Sequence, residues 1–462
     1  MVQSINPTNG EVIAEYATHN ASEVDAALSG AFKAQANWRK LPVVERVELL
    51  TAMAAELRAG KDRFAQLITE EMGKPLVEAE GEIEKCAVTC EFYTEAAPRF
   101  LADEPIESNA SYSGVVYDPI GVVLAIMPWN YPFWQFFRFA APAFAAGNGV
   151  ILKHASNVPG CAIEIEKLMV RAGCPEGLMR NLLIDSSEVA GLIADDRIAA
   201  VTLTGSTQVG AIVASQAGAA LKKQVLELGG SDPFIVLADA DLAAAAEVAV
   251  KSRFVNVGQS CVNAKRFIVE ESVADAFVEL FKSGISRLRI GDPLDPSTQI
   301  GPMARANLRA ELHDQVERTI AGGAKVVIGG AEIEGEGSFY QPTLLDMVEP
   351  GHVAFREELF GPVASVIRAT DANHAVALAN DSDFGLAATV WTSDIDRALK
   401  MSREIDAGAV FINGMVASDA RLPFGGIKKS GYGRELGSYG IREFTNIKTI
   451  WIGPQRPQGE QA

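Results

Sequence analysis

"RIAAVTLTGSTQVGAIVASQAGAALKKQVLEL" spans residues 197–228. Its first part, to Gly205, is an apolar run suited to a buried strand. Gly205 breaks that run, and "TQVGAIVASQAGAAL" (207–221) reads as a helix. "KQVLEL" (223–228) then reads as a second strand. Strand, helix and strand joined by short turns form the unit from which a parallel sheet, covered on both faces, is built.

The same alternation extends both ways from this unit. Upstream, "SGVVYDPIGVVLAIMP" (113–128) and "GVILKHA" (149–155) read as strands and "GCAIEIEKLMVRAG" (160–173) as a helix. Downstream, "PFIVL" (233–237), "AKRFIVEE" (264–271), "KVVIGG" (325–330), "VASVIRA" (363–369), "ATVWT" (388–392) and "GAVFING" (408–414) form a second α/β series. Before residue 112 the chain reads as helical after a short extended lead, with apolar residues at helical spacing over 21–41 and 42–74. Two α/β lobes account for the pattern, without internal repeats or low-complexity tracts. The closing stretch "GSYGIREFTNIKTIWIG" (437–453) carries an extended apolar segment. It either pairs within its own chain or adds to a neighbouring subunit's sheet.

Composition excludes several classes. Acidic residues outnumber basic ones 59 to 41, a formal charge of −18, and no basic stripe offsets it for nucleic acid. An anionic substrate would need a locally placed cation. The N-terminus lacks the basic and apolar regions of a signal peptide, and no uncharged apolar run is long enough for a membrane span. Five dispersed cysteines, Cys86, Cys90, Cys161, Cys174 and Cys261, do not describe a disulfide framework. A cytoplasmic protein is the expectation. Cys86 and Cys90 read as core packing, because no further ligand stands at zinc spacing.

Chemistry-bearing residues cluster at the ends of these elements. Asn130, in "MPWNYP", is either a helix cap or an amide donor for an oxygen that gains charge. Trp134 and Arg138 would share one helix face. An arginine among Phe136, Phe137 and Phe139 needs an acidic partner or an anionic ligand, and sequence alone leaves both open. Gly205 and Gly210 flank a strand-to-helix turn suited to a phosphate, without the usual dinucleotide glycine fingerprint. Glu227 ends an apolar strand just before Gly229 and Gly230, and is either a structural acceptor or a base. Cys261, in "GQSC", precedes a strand, where loops often carry reactive groups.

Taken in order, "MPWNYP", "LTGSTQVG", "LELGG", "GQSC", "EELFGPV" and "PFGGIKKSGYGRE" resemble the aldehyde dehydrogenase superfamily over essentially the whole chain. Within it, the chain looks most like bacterial succinate-semialdehyde dehydrogenases. The resemblance implies a Rossmann-type cofactor domain over 1–111 and 127–228 and an α/β catalytic domain over 229–425. It also implies a β oligomerisation arm over 112–126 with a tail over 438–462, and hence a homo-oligomer, dimer or tetramer.

The resemblance also implies roles. Cys261 would attack the aldehyde, Asn130 and the Cys261 amide would hold the oxyanion, and Glu227 would activate water against the thioester. Ile126, Pro128, Trp129, Lys153, Ser156, Gly205, Ser206, Glu358 and Phe360 would face the cofactor, with no metal required. Trp134 and Phe424 would be apolar walls, while Arg138 and Ser418 would grip a carboxylate at the far end of a short aldehyde. The family commonly reads Lys-Pro-x-Glu where this chain has "KHAS" (153–156). Ser156 therefore replaces a carboxylate that would repel a 2′-phosphate, so NADP is expected to be accepted or preferred, with NAD tolerated. Succinate semialdehyde is the expected substrate. Glutarate semialdehyde or a broad aldehyde set is the near alternative, and a cofactor-free thiol esterase or hydrolase the distant one.

Overall fold

The computed structural model of the chain describes residues 1–453. Two sheets organise it. The first has six strands in the order Gly431–Tyr432, Lys223–Glu227, Ile198–Thr204, Val122–Met127, Gly149–His154 and Met179–Asn181, all parallel except the first pair. The second has seven, from Lys325–Ile328 through Thr343–Asp346, Val363–Ala369, Ala264–Glu270, Asp232–Val236 and Ala387–Trp391 to Ala409–Ile412. Only its edge strand Lys325–Ile328 runs antiparallel. Strands such as Asp232–Val236 are buried at every residue, which is why they read as continuous apolar runs rather than alternating ones.

The arm departs from the expected boundaries. Residues 113–128 are two strands, because Pro119 and the left-handed Gly121 (φ 140°) interrupt the apolar run. Tyr112–Pro119 pairs antiparallel with Thr445–Ile452. Val122–Met127 lies instead in the middle of the six-stranded sheet, so the boundary expected at 126 falls inside a strand of that sheet. The closing strand thus pairs within its own chain, yet leaves Ile447, Ile450, Trp451 and Ile452 exposed. Residues 454–462 of the expected tail lie outside the described residues. The helical stretch expected over 42–74 is likewise broken at Gly60 into Val43–Ala59 and Lys61–Met72. Among the described residues no helix is long and apolar enough to cross a membrane.

Four expected site residues sit at the carboxyl ends of adjacent strands in the first sheet. Asn130 follows Val122–Met127, Lys153 nearly ends Gly149–His154, Gly205 follows Ile198–Thr204, and Glu227 ends Lys223–Glu227. Ligands collect at this edge of open α/β sheets, where strand order reverses. Glu227 is held there by an unusual neighbour. Opposite it lies Gly431, at φ 112°, where an added Cβ would stand 1.9 Å from the Leu226 carbonyl oxygen.

Gly431→Ala is expected to lower stability by about 2–4 kcal/mol, adding a steric clash to the ordinary left-handed penalty. Gly10→Ala, at φ 77° with nothing within 4 Å of the new carbon, is the control and should cost about 1–2 kcal/mol. Urea unfolding of both variants checks this, and equal losses would show that the close approach to Leu226 is unimportant.

Candidate active site

The loop carrying Cys261 begins where helix Leu242–Phe254 ends. Three successive residues, Asn256, Val257 and Gly258, take φ values of 53°, 57° and 72°. A β-branched valine is costly in that region, so the turn must be over-determined by its surroundings. The Asn256 N–H donates to Glu78 at 2.6 Å, and its side-chain amide donates to the Asn130 and Gln259 carbonyls at 2.8 and 3.1 Å. The Asn263 amide donates to the Arg253 and Val255 carbonyls, and Gly258 leaves no room for a Cβ against Gly361. Beneath the loop, buried Lys265 donates to the carbonyls of Ser260, Cys261 and Asn263 at 3.0, 2.9 and 3.3 Å. The reversal therefore delivers Cys261 to a fixed place.

Asn130 reaches the same loop, its side-chain amide donating to the Gln259 carbonyl at 3.0 Å. It does not cap the following helix. That helix, Trp134–Ala145, starts beyond Pro132, and Glu82 accepts the N–H groups of Phe133 and Trp134 at 2.9 Å each. Glu82 also forms a wholly buried ion pair with Lys74, whose ammonium lies 3.6 Å from the Tyr131 ring centre. Neutral His154 closes the loop from the other side. Its Nδ1 accepts from the Ala155 N–H, so Nε2 carries the proton and donates to the Pro132 carbonyl at 2.9 Å. Burial lowers this imidazole's pKa to about 4.

A cavity of about 430 Å³ opens beside Cys261, lined by Trp134, Arg138, Ser418 and Phe424, the four expected substrate residues. Arg138 has the acidic partner that was one of the two readings left open by the sequence. It forms a buried ion pair with Glu435 and donates to Thr204 at 3.3 Å, yet it still forms part of the cavity wall, stacked on Phe424. Burial pushes the Cys261 thiol up to about 12, with Arg138 and Lys265 pulling it back. Its own N–H donates to no acceptor among the described residues.

Neither Glu227 nor Asn130 lines that cavity. Glu227 lies buried near Arg138 and Glu435, and neither of its carboxylate oxygens has a hydrogen-bond partner among the described residues. Burial, then the nearby Glu435 carboxylate, raise its pKa well above the usual carboxylate range. A carboxyl group that is buried, unpaired and close enough to influence Cys261 is suited to proton transfer.

The expected cofactor residues line the neighbouring edge. Ser206 caps helix Thr207–Ala219, whose first turn contains no acid. Lys153 is half-buried with no carboxylate within 4 Å among the described residues, and Ser156 is exposed beside it. Ile126 is the only part-buried residue of its strand, followed by the part-buried Pro128 and Trp129. Trp129 meets Phe360 edge-on at 5.8 Å. Glu358 accepts from the Gly230 N–H at 3.1 Å and pairs with Lys265 at 3.3 Å.

This geometry sits on a chain whose residues 1–450 match the aldehyde dehydrogenase family model. The chain belongs to the aldehyde dehydrogenase family. It is 50% identical to the succinate semialdehyde dehydrogenase [NAD(P)+] of Escherichia coli over 97% of each chain. A probable succinate-semialdehyde dehydrogenase [NADP(+)] of Synechocystis is also 50% identical, covering 98% of this chain and 99% of its own. The crystal structure of succinic semialdehyde dehydrogenase from Streptococcus pyogenes, in complex with NADP+, superposes with a TM-score of 0.96. It is 38% identical and covers 98% of this chain and all of that one.

Several residues of this family member escaped the reading of the sequence. Lys265 and Glu82 anchor loops through backbone groups, which leaves no local pattern to read. Glu435 stood inside a quoted motif without a partner to suggest its role. Lys85 did leave a signal. Glu78, Glu82 and Lys85 repeat at helical spacing among buried Ala79, Ile83 and Cys86, so a charged stripe borders the buried face of this helix. Cys86 and Cys90 are buried on that helix, as expected of packing residues.

Proposed function

We propose that this aldehyde dehydrogenase oxidises succinate semialdehyde to succinate, with NADP as the preferred hydride acceptor. The observation carrying the reading is the cavity beside Cys261, which combines apolar walls from Trp134 and Phe424 with cationic groups in a strongly acidic protein. Relatives sharing half of its residues carry the corresponding names.

Cys261 gives its thiol proton to water in the cavity and its sulfur attacks the aldehyde carbon, forming a thiohemiacetal whose oxygen carries the negative charge. The Cys261 N–H, which donates to no acceptor among the described residues, and the Asn130 side-chain amide hold the new oxyanion. NADP, when bound, supplies the nicotinamide that takes the hydride. Glu227 then removes a proton from the water that hydrolyses the thioester, and the carboxylic acid leaves. Ser418 and the cationic wall attract the substrate's carboxylate, Arg138 through its field rather than as a free partner because Glu435 pairs with it, and Trp134 and Phe424 enclose its methylene groups.

The cofactor residues fit a phosphorylated dinucleotide. Lys153 and the acid-free N-terminus beginning at Ser206 favour phosphate charge, and no carboxylate stands at Ser156. Glu358, Phe360, Trp129, Pro128 and Ile126 would border the nicotinamide half. We assign residues 1–111 and 122–228 chiefly to cofactor binding, with strand Val122–Met127 moved from the arm into this part, and 229–425 chiefly to catalysis. The exposed apolar strand Thr445–Ile452 supports a homo-oligomeric arm, and the free cysteines suit a reducing cytoplasm.

Steady-state kinetics with succinate semialdehyde, glutarate semialdehyde and butanal, each with NADP and NAD, test the reading. The highest kcat/KM is expected for succinate semialdehyde with NADP. Ser156→Glu should shift the NADP to NAD ratio toward NAD by about 10-fold or more, the effect of one repulsive charge at a phosphate. Butanal oxidised as well as the semialdehyde would overturn the substrate assignment, and a wild-type preference for NAD would overturn the cofactor assignment.

A further inference from the structure

Arg138 was expected to be the cation that meets the substrate's carboxylate, but its charge is already answered. Glu435 pairs with it inside the protein, and Glu227 lies close by. A second cation faces the same cavity. Lys85, on helix Leu76–Phe100, is half-buried and has no carboxylate within 4 Å of its ammonium among the described residues. The ammonium stands 4.3 Å from the Trp134 ring centre and donates to the Ser418 hydroxyl at 2.7 Å. An unpaired ammonium beside a hydroxyl, over an aromatic wall, in the cavity that holds the nucleophile, is a ready anion seat.

We propose that Lys85, acting with Ser418, is the residue that selects aldehydes bearing a distal carboxylate. The inference deepens the semialdehyde reading and rests on it. The Nζ of Lys85 has three donors, of which Ser418 takes one, so two remain for the carboxylate oxygens. Trp134 fixes the ammonium from the side. Arg138, neutralised by Glu435, contributes shape and a weaker field. Selectivity for the charged substrate then comes from a cation without a carboxylate partner that Ser418 and Trp134 hold in place, whereas Lys251, also at the border of the cavity, is exposed to solvent.

The groups facing Lys85 also predict a pH dependence. On its own helix these are Glu82 and Cys86, from the neighbouring helix Arg138, and from the loop after Ala409–Ile412 Asp419. Glu78 and Lys251 border the same cavity. Burial first, then Arg138, lower the Lys85 pKa to about 8. The substrate carboxylate stays ionised throughout this range. Lys85 is therefore charged below pH 8 and loses its hold on the carboxylate as pH rises through that value. Glu78, raised by burial to about 7, becomes negative over an overlapping range and acts in the same direction.

The test is the ratio of kcat/KM for succinate semialdehyde to that for butanal, in which effects common to both aldehydes cancel. Lys85→Met should lower this ratio about 10- to 100-fold, the value of a hydrogen-bonded charge. Lys85→Arg should retain most of it and lose the fall near pH 8 that the wild type shows, leaving only the part due to Glu78. A structural role would lower both rates together and leave the ratio unchanged in Lys85→Met, which overturns the proposal. So would a ratio in Lys85→Arg that falls with pH as steeply as in the wild type. If the wild type itself favours butanal, the semialdehyde reading fails first, and that outcome is visible before any variant is made.

Discussion

Cys261→Ala is expected to abolish aldehyde-dependent reduction of NADP, by on the order of 10⁴-fold or more, the scale on which enzymes lose activity with their nucleophile. The loss follows from how the loop is built. No other cysteine can substitute, since Cys86, Cys90 and Cys161 are wholly buried and Cys174 is not part of the cavity wall. Smaller still than cysteine, alanine fits the same turn, so the fold and NADP affinity should be retained. The measurements are NADPH absorbance for activity and fluorescence titration for cofactor binding. Activity within 100-fold of wild type would show that the chemistry proceeds through another group.

Glu227→Gln should behave differently, because Glu227 is assigned to the second half of the reaction. A rapid burst of about one NADPH per active site is expected, followed by a steady rate lowered about 10²- to 10⁴-fold, the usual scale for a lost general base. Intact mass measured during the steady state should show an acyl group on Cys261. The raised pKa of Glu227 gives this a pH signature. In the wild type the carboxyl group must lose its proton to act as a base, so deacylation should accelerate as pH rises, whereas the glutamine variant should show no such acceleration. If the variant turned over steadily without a burst, Glu227 would belong to an earlier step.

Most strands were legible because the sheets are buried on both faces, and a run such as "VASVIRA" has few other uses. The break at Pro119–Gly121 was passed over because apolar residues continue on both sides, although Pro119 and Gly121 are turn residues that mark it. Strand Met179–Asn181 was missed for being three residues long, and Thr343–Asp346 for carrying only two apolar residues between polar ends. In the site, Cys261, Asn130 and Glu227 stood out because each lies inside a motif where a regular element gives way to a loop, Asn130 and Glu227 at strand ends and Cys261 just before a strand. Lys85 and Ser418 meet across 333 positions, a separation that no local pattern records. Arg138 shows the same limit differently. Its need for a partner was legible, and Glu435 became visible only once the chain was folded.

Lys265 also determines which way the nucleophile's loop is polarised. A planar trans peptide points its carbonyl and its N–H in opposite directions. With the Ser260 and Cys261 carbonyls drawn down to one ammonium, the N–H groups of Cys261 and Val262 must turn away from it. The backbone becomes a small array of aligned dipoles, negative ends on the lysine and positive ends outward. That array needs no side chain and does not reorganise as charge moves from sulfur to oxygen during the reaction. A lysine wholly removed from solvent thus acts on the chemistry without touching the substrate, by fixing the sign of the field that the loop presents.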